Sequence, residues 1–218
     1  MKLMIASDIH GCAPACKKLL DTFAASGADR LILLGDLLYH GPRNDLPEGY
    51  DPKAVIALLS EYKNDILCVR GNCDSEVDQM MLDYPIMSDY ATLLADGHRF
   101  FLTHGHHWNP GQLPPLGSGD VLCYGHTHIP QAERITDDLT AFNPGSLSLP
   151  KGGYAASYGI YENNTLTVLE LESGKIIRRK YNIWVDSEAG RITEDYLSRW
   201  ENVDYRTISI DGKEYNRL

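Results

Sequence analysis

The run Leu31-Ile32-Leu33-Leu34 is apolar without interruption and is closed by Gly35-Asp36. A stretch of this length with no polar alternation suits a strand covered on both faces, as in the middle of a parallel sheet. Gly35 lets the chain leave that strand with backbone angles or close contacts that a side chain forbids. Asp36 then falls at the carboxyl end of the strand, where open α/β sheets hold their ligands. A buried strand that delivers a carboxylate to its own end constrains everything packed around it.

The neighbouring segments fit an α/β fold. Residues 2–7 read as a first strand, followed by the turn Asp8-Ile9-His10-Gly11. Cys16, Leu19, Leu20 and Phe23 recur at helical spacing, with Pro14 in the first turn and Gly27 at the end. This strand–helix–strand unit predicts parallel pairing through a right-handed crossover. Asp51-Pro52 opens a second helix that continues through Val55, Leu58, Leu59 and Tyr62. Residues 66–69 form a third strand, which runs into Arg70-Gly71-Asn72-Cys73-Asp74 and a short helix. From Tyr90 onward the pattern changes. Ala95-Asp96-Gly97-His98 is a hairpin turn, and short strands separated by turn signals follow as far as Tyr181. A βαβ half is therefore expected to precede a mostly antiparallel half. Beyond it, residues 192–200 carry a helical pattern, and residues 207–215 a hairpin around Asp211-Gly212. The expected division is a domain over residues 1–181 and a C-terminal helix and hairpin extension over 182–218.

Composition narrows the function classes. A net charge of −10 disfavours attraction to nucleic acid or acidic membranes. It does not disfavour a phosphate substrate, because bound divalent cations reverse the local sign. No apolar run is long enough to cross a bilayer, and the amino terminus lacks the long apolar region of a secretory signal. The five cysteines are scattered and odd in number, as expected of reduced thiols in a cytoplasmic protein.

Ligand-type residues gather at the strand ends: Asp8 and His10, Asp36, Asn72, His104, then His126 and His128. Each stands beside a glycine or a tight turn. Two carboxylates, four imidazoles and one amide form a mixed oxygen and nitrogen set, which suits Mn, Fe, Zn, Co or Ni better than Ca or Mg. A lone histidine is commonly structural, and one Asp-x-His pattern is weak evidence. The ordered set, each member closing a strand, is not weak. Seven ligands exceed one tetrahedral ion and fit two cations sharing Asp36, about 3.5–4 Å apart. His106 and His107 are ambiguous between lining a cleft and closing a loop, and stand outside this set.

Asp8-x-His10, Gly35-Asp36, Gly71-Asn72-x-Asp74, His104-Gly105 and Gly125-His126-x-His128 together resemble the signature of the calcineurin-like metallophosphoesterases. The resemblance covers residues 1–181 and implies a four-layer α/β/β/α sandwich of two mixed sheets. It implies that Asp8, His10, Asp36 and His128 hold one cation and Asp36, Asn72, His104 and His126 the other, with manganese first among the metals named above. It also implies a phosphodiesterase that hydrolyses small phosphate esters with a hydroxide bridging the two ions. A phosphomonoesterase, or a non-catalytic scaffold of the same fold, is the alternative. Asp36, Asn72, Cys73 and Asp74 are the expected catalytic residues, with Asp74 orienting a ligand. Arg43, Asn44 and Asn72 are the expected substrate contacts. Many members carry histidine where this chain has Cys73, and a thiol is a poor acid or cation near neutral pH. Good leaving groups, which need less acid help, are therefore expected to react best. A homo-oligomer assembled through the aromatic residues Trp184, Tyr196, Trp200 and Tyr205 of the extension is a further expectation.

Overall fold

A computed structural model of the chain describes residues 1–180 in full, together with the backbone of 207–210 and 213–216. Strand β1 (Leu3–Ala6) leads into helix α1 (Ala13–Ser26) and then β2 (Arg30–Leu33). In α1, Cys16, Leu19, Leu20 and Phe23 are the buried face, and Gly27 ends the helix at φ 70°. Helix α2 (Pro52–Ser60) starts where the Asp51 carboxylate accepts a hydrogen bond from the Ala54 N–H. After β3 (Ile66–Cys68), helix α3 (Glu76–Met81) is opened by a reciprocal capping box of Ser75 and Asp78.

The later strands are β4 (Tyr90–Ala95), β5 (His98–Thr103), β6 (Val121–Cys123), β7 (Gln131–Arg134), β8 (Thr140–Asn143), β9 (Ser157–Glu162), β10 (Thr165–Glu170) and β11 (Ile176–Lys180). Two mixed sheets result, in the orders β11-β10-β9-β1-β2-β3 and β4-β5-β6-β8-β7. In the first, β1, β2 and β3 run parallel, with Ile5 opposite Ile32 and Ile32 opposite Leu67. The second half of the chain is antiparallel where β4 meets β5, β7 meets β8, and β10 meets β9 and β11. Yet β5, β6 and β8 run parallel to one another. Parallel neighbours need crossover connections, and the long loop between β5 and β6 and the edge hairpin of β7 supply them.

Alternate residues of the central strands face opposite ways, so one strand serves two cores. Met4, Ala6, Leu31 and Leu33 pack beneath α1 and α2 with Cys16, Leu19 and Leu59. Leu3, Ile5, Ile32 and Leu34 face the second sheet and meet Phe100, Leu102, Val121 and Phe142. On the far face of that sheet, Phe101, Leu122 and Tyr124 are covered by Trp108, Leu116 and Ile135. Among the described residues this outermost layer is therefore loop and strand-end side chains, not helix.

The backbone divides into two compact units, Met1–Trp184 and Val185–Leu218. In the second, β12 (Thr207–Ile210) and β13 (Lys213–Asn216) pair antiparallel with Ile210 opposite Lys213, the expected hairpin around Asp211-Gly212. The helical pattern at 192–200 and the aromatic residues expected to form an interface lie outside the described residues. Among the described residues, no helix is long and apolar enough to cross a membrane.

Candidate metal centre

The carboxyl ends of β1, β2, β3, β5 and β6 bring the expected ligands to one place. Five of these residues, Asp8, His10, Asp36, His126 and His128, have φ between 48° and 64°. Left-handed backbone at a non-glycine residue costs about 1–3 kcal/mol and persists only where the surroundings impose it. Aspartate and histidine tolerate it better than most residues. Five such residues at the ends of three strands is strain stored at one site. The sequence carries no direct sign of it beyond the neighbouring glycines.

Close backbone approach explains one of those glycines. A Cβ on Gly71 would lie 2.1 Å from Asp36 Oδ1 and 2.3 Å from the Asp36 nitrogen. The two turns therefore touch only because Gly71 has no side chain.

Each carboxylate spends one oxygen on the backbone and turns the other inward. Asp8 Oδ2 accepts from the His126 N–H at 3.0 Å, and Asp36 Oδ1 from the Cys73 N–H at 2.8 Å. Asp8 Oδ1 is buried and accepts no hydrogen bond. It stands 3.2 Å from His128 Nε2, 3.6 Å from His10 Nε2 and 4.0 Å from His104 Nε2. Asp36 Oδ2 stands 3.4 Å from His104 Nε2 and 3.7 Å from His10 Nε2. Asn72 Oδ1 is 3.0 Å from His104 Nε2, and the His126 ring lies 5.1 Å from that of His104.

The imidazoles are held from behind. His10 Nδ1 donates to the Tyr39 carbonyl at 2.8 Å, His104 Nδ1 to Leu34 at 2.7 Å and His128 Nδ1 to Leu149 at 2.5 Å. Fixing the Nδ1 proton in this way leaves each Nε2 free as a donor atom for a metal. The donor set fits divalent cations on two counts. A buried, orphaned carboxylate oxygen is costly unless a cation or proton meets it. Asp8, His10 and His128, and separately Asp8, Asp36 and His104, each bring one ligand atom within 4.8 Å of the others.

Electrostatics follows from the crowding. Burial opposes the charged form of Asp8, but the facing His10 and His128 hold its carboxyl well below the usual range. Burial likewise opposes ionisation of Asp36, and His104 more than compensates. For His104 burial disfavours the cation, while Asp36 and Asp8 raise it to about 9. In the metal-free chain His104 is therefore an imidazolium held between two carboxylates. A metal that takes Nε2 must displace that proton at any pH below about 9. Apparent affinity for a divalent cation is expected to rise about tenfold per pH unit between pH 6 and 8, with release of a proton. Calorimetric titration in buffers of different ionisation enthalpy measures both quantities. An affinity independent of pH would contradict the pairing.

Asp74 departs from expectation. It accepts no hydrogen bond from a histidine. Its two oxygens take the N–H groups of Asp36 at 2.8 Å, Leu37 at 2.9 Å and Gly71 at 2.7 Å. Only 2% of it is exposed and it does not line the cleft, so it is a positioning residue rather than a catalytic one. It clamps the Asp36 turn to the Gly71 turn. The histidines take backbone carbonyls instead, partners that no side-chain pattern reveals.

A cavity of about 320 Å³ opens over the cluster. Arg43 and Asn44 line it, with Asn72, Cys73, His126 and His128. Asn44 also donates to the His40 carbonyl, which closes the loop that carries Arg43. Burial, reinforced by the charge of Asp36, pushes the Cys73 thiol up to about 12. His106, beside His104 and His126, is pushed down to about 4, first by burial and then by His104. Sequence reasoning missed Lys151, which lines the same cavity. It also gave no role to Asn143 and Ser146. Asn143 donates to the Gly125 carbonyl at 2.8 Å, and Ser146 to the Asp8 carbonyl at 2.9 Å, so they brace two of the site's turns.

Residues 1–165 match the model of the calcineurin-like phosphoesterase superfamily domain. The chain belongs to that superfamily. It is 54% identical over 177 residues to phosphodiesterase YfcE of Escherichia coli K12, across 81% of this chain and 96% of that one. Phosphodiesterase MJ0936 of Methanocaldococcus jannaschii is 28% identical over 155 residues, covering 66% of this chain and 83% of the relative. The solved structure of YfcE, a phosphoesterase from E. coli, superposes with a TM-score of 0.81 at 53% identity, covering 83% of this chain and 98% of that one. Vps29 of Chaetomium thermophilum shares the fold alone, at TM-score 0.54 and 18% identity, over 88% of this chain and 100% of that one. Members of a metallophosphoesterase family work with divalent metals, and the Asp and His groups above are able to bind them.

Proposed function

We propose that this protein is a metal-dependent phosphodiesterase. In this reading Asp8, His10, Asp36 and His128 hold one divalent cation and Asp36, Asn72, His104 and His126 a second, with manganese the first choice of metal. The observation that carries it is the pair of inward carboxylate oxygens, Asp8 Oδ1 and Asp36 Oδ2, met by three imidazole Nε2 atoms whose other nitrogens are engaged. When bound, the cations supply charge neutralisation at the phosphoryl group and an acidified water.

The chain's own residues do the rest. Asn72 and Arg43 are suited to hold non-bridging phosphate oxygens at the mouth of the cavity, and Asn44 keeps the Arg43 loop closed. In the metal-free chain burial, reinforced by Asp36, keeps Cys73 a neutral thiol, and a thiol is a poor general acid for a leaving group near neutral pH. That supports diesters with stable leaving groups as the best substrates. The relatives that bear the name phosphodiesterase support the substrate class. A scaffold reading is disfavoured because no position of the ligand set is vacant in the sequence. A cytoplasmic setting is supported by the five free cysteines, and a homo-oligomer through residues 182–218 by the aromatic content of that tail.

With one aryl leaving group, the manganese-loaded protein is expected to hydrolyse the methyl aryl diester at least about tenfold faster, in kcat/KM, than the aryl monoester. Steady-state assays of the two esters decide the matter. A monoester preference would make the protein a phosphatase.

A further inference from the structure

We propose that Lys151 selects phosphodiesters that carry a second anionic group on the arm that does not leave. The proposal rests on the phosphodiesterase reading and deepens it. The segment that carries this lysine is riveted to the site. Ser146 and Ser148 both donate to the Asp8 carbonyl, at 2.9 and 3.1 Å. The Leu149 carbonyl accepts from His128 Nδ1, and the Lys151 N–H donates back to the His128 carbonyl at 3.1 Å. The Tyr154 N–H then closes a turn on the Lys151 carbonyl at 3.3 Å, over Gly152 and Gly153 at φ 68° and 78°. Lys151 is thus set at the rim by the same backbone that fixes two expected metal ligands.

Its charge is free to be used. Among the described residues neither Lys151 nor Arg43 has a carboxylate within ion-pair distance. This holds in a chain with 30 acidic and 20 basic residues. A single-charge diester already meets its countercharge at the cations below, so a second cation at the rim answers a second anion. No Phe, Tyr or Trp lines the cavity, so the far arm meets charge rather than a stacking face. A carboxylate or a terminal phosphate on that arm has the required chemistry.

The test uses the metal-loaded full chain and aryl diesters that share one leaving group. Their second arm is methyl or phosphoethyl. KM ratios come from turnover, and Kd ratios from calorimetry with hydrolysis-resistant phosphonate analogues of both. The parent is expected to favour the anionic arm by about fivefold at low salt, with the preference fading as salt is added. In Lys151→Gln the ratio is expected to fall to about one, and Lys151→Arg to restore it. A ratio unchanged in Lys151→Gln, or a parent with no preference in the calorimetry, overturns the proposal. Loss of the underlying reading shows separately, as no turnover of the methyl diester by the parent.

Discussion

Asp36→Asn is expected to cost about a thousandfold or more in kcat and to reduce bound metal from two ions per chain to one or none. The substitution is nearly isosteric, and an amide oxygen can still accept from the Cys73 N–H, as Asp36 Oδ1 does at 2.8 Å. What is lost is the charge on Oδ2, the atom that faces His104 at 3.4 Å and His10 at 3.7 Å. Both proposed ions depend on that oxygen, so the variant removes a shared ligand rather than a peripheral one. The melting temperature of the metal-free variant is the control. It should fall by a few degrees at neutral pH, because the buried His104 loses one of the two carboxylates that favour its proton, and stay well short of the loss expected of an unfolded variant. Metal analysis by mass spectrometry, with turnover of an aryl diester, reads both effects. Full metal content with full activity would refute the shared role.

The second large effect concerns stability. Asp74→Ala leaves the N–H groups of Asp36, Leu37 and Gly71 without their acceptor in a buried turn. Unsatisfied buried donors cost about 1–3 kcal/mol each, less whatever water recovers. A net loss of about 3–5 kcal/mol is expected, or a fall of about 10 °C in melting temperature for a domain of this size. Asp74→Asn keeps one acceptor oxygen and should lose less. Metal affinity should fall in the same order, because the turn that presents Asp36 loosens. Thermal denaturation with and without manganese measures both. An alanine variant as stable as the parent would mean that the clamp carries no weight.

Much of the fold could be read from the chain, for a physical reason. The runs that end at Ser7, Leu34, Val69, Thr103 and Tyr124 are apolar and short, and each meets a glycine, aspartate or histidine within two residues. Burial punishes polar groups everywhere except where the strand emerges, so the ligands had nowhere else to stand. Residue type then pointed to metal chemistry, because two acids, four imidazoles and one amide at neighbouring strand ends make a mixed oxygen and nitrogen donor set.

The remainder was hidden for equally physical reasons. Pairing direction depends on contacts far apart in sequence, so the parallel alignment of β5, β6 and β8 does not show in local patterns. Left-handed backbone at Asp8 or His126 is imposed by the surrounding turns rather than by the residue's own preference. Asp74 is expected from the sequence to orient a ligand, but that it does so through three backbone N–H groups, those of Asp36, Leu37 and Gly71, shows in no side-chain pattern. Lys151 reads as an ordinary solvated lysine, and only the bonds from its segment to Asp8 and His128 bring it to the cleft.

The central claim is a two-cation centre built on Asp8 and Asp36, and manganese titration of the metal-stripped chain tests it most directly. Calorimetry should count two manganese ions per chain, and diester hydrolysis should return only as the second site fills. Binding of one ion or none alongside full diesterase activity would contradict the account.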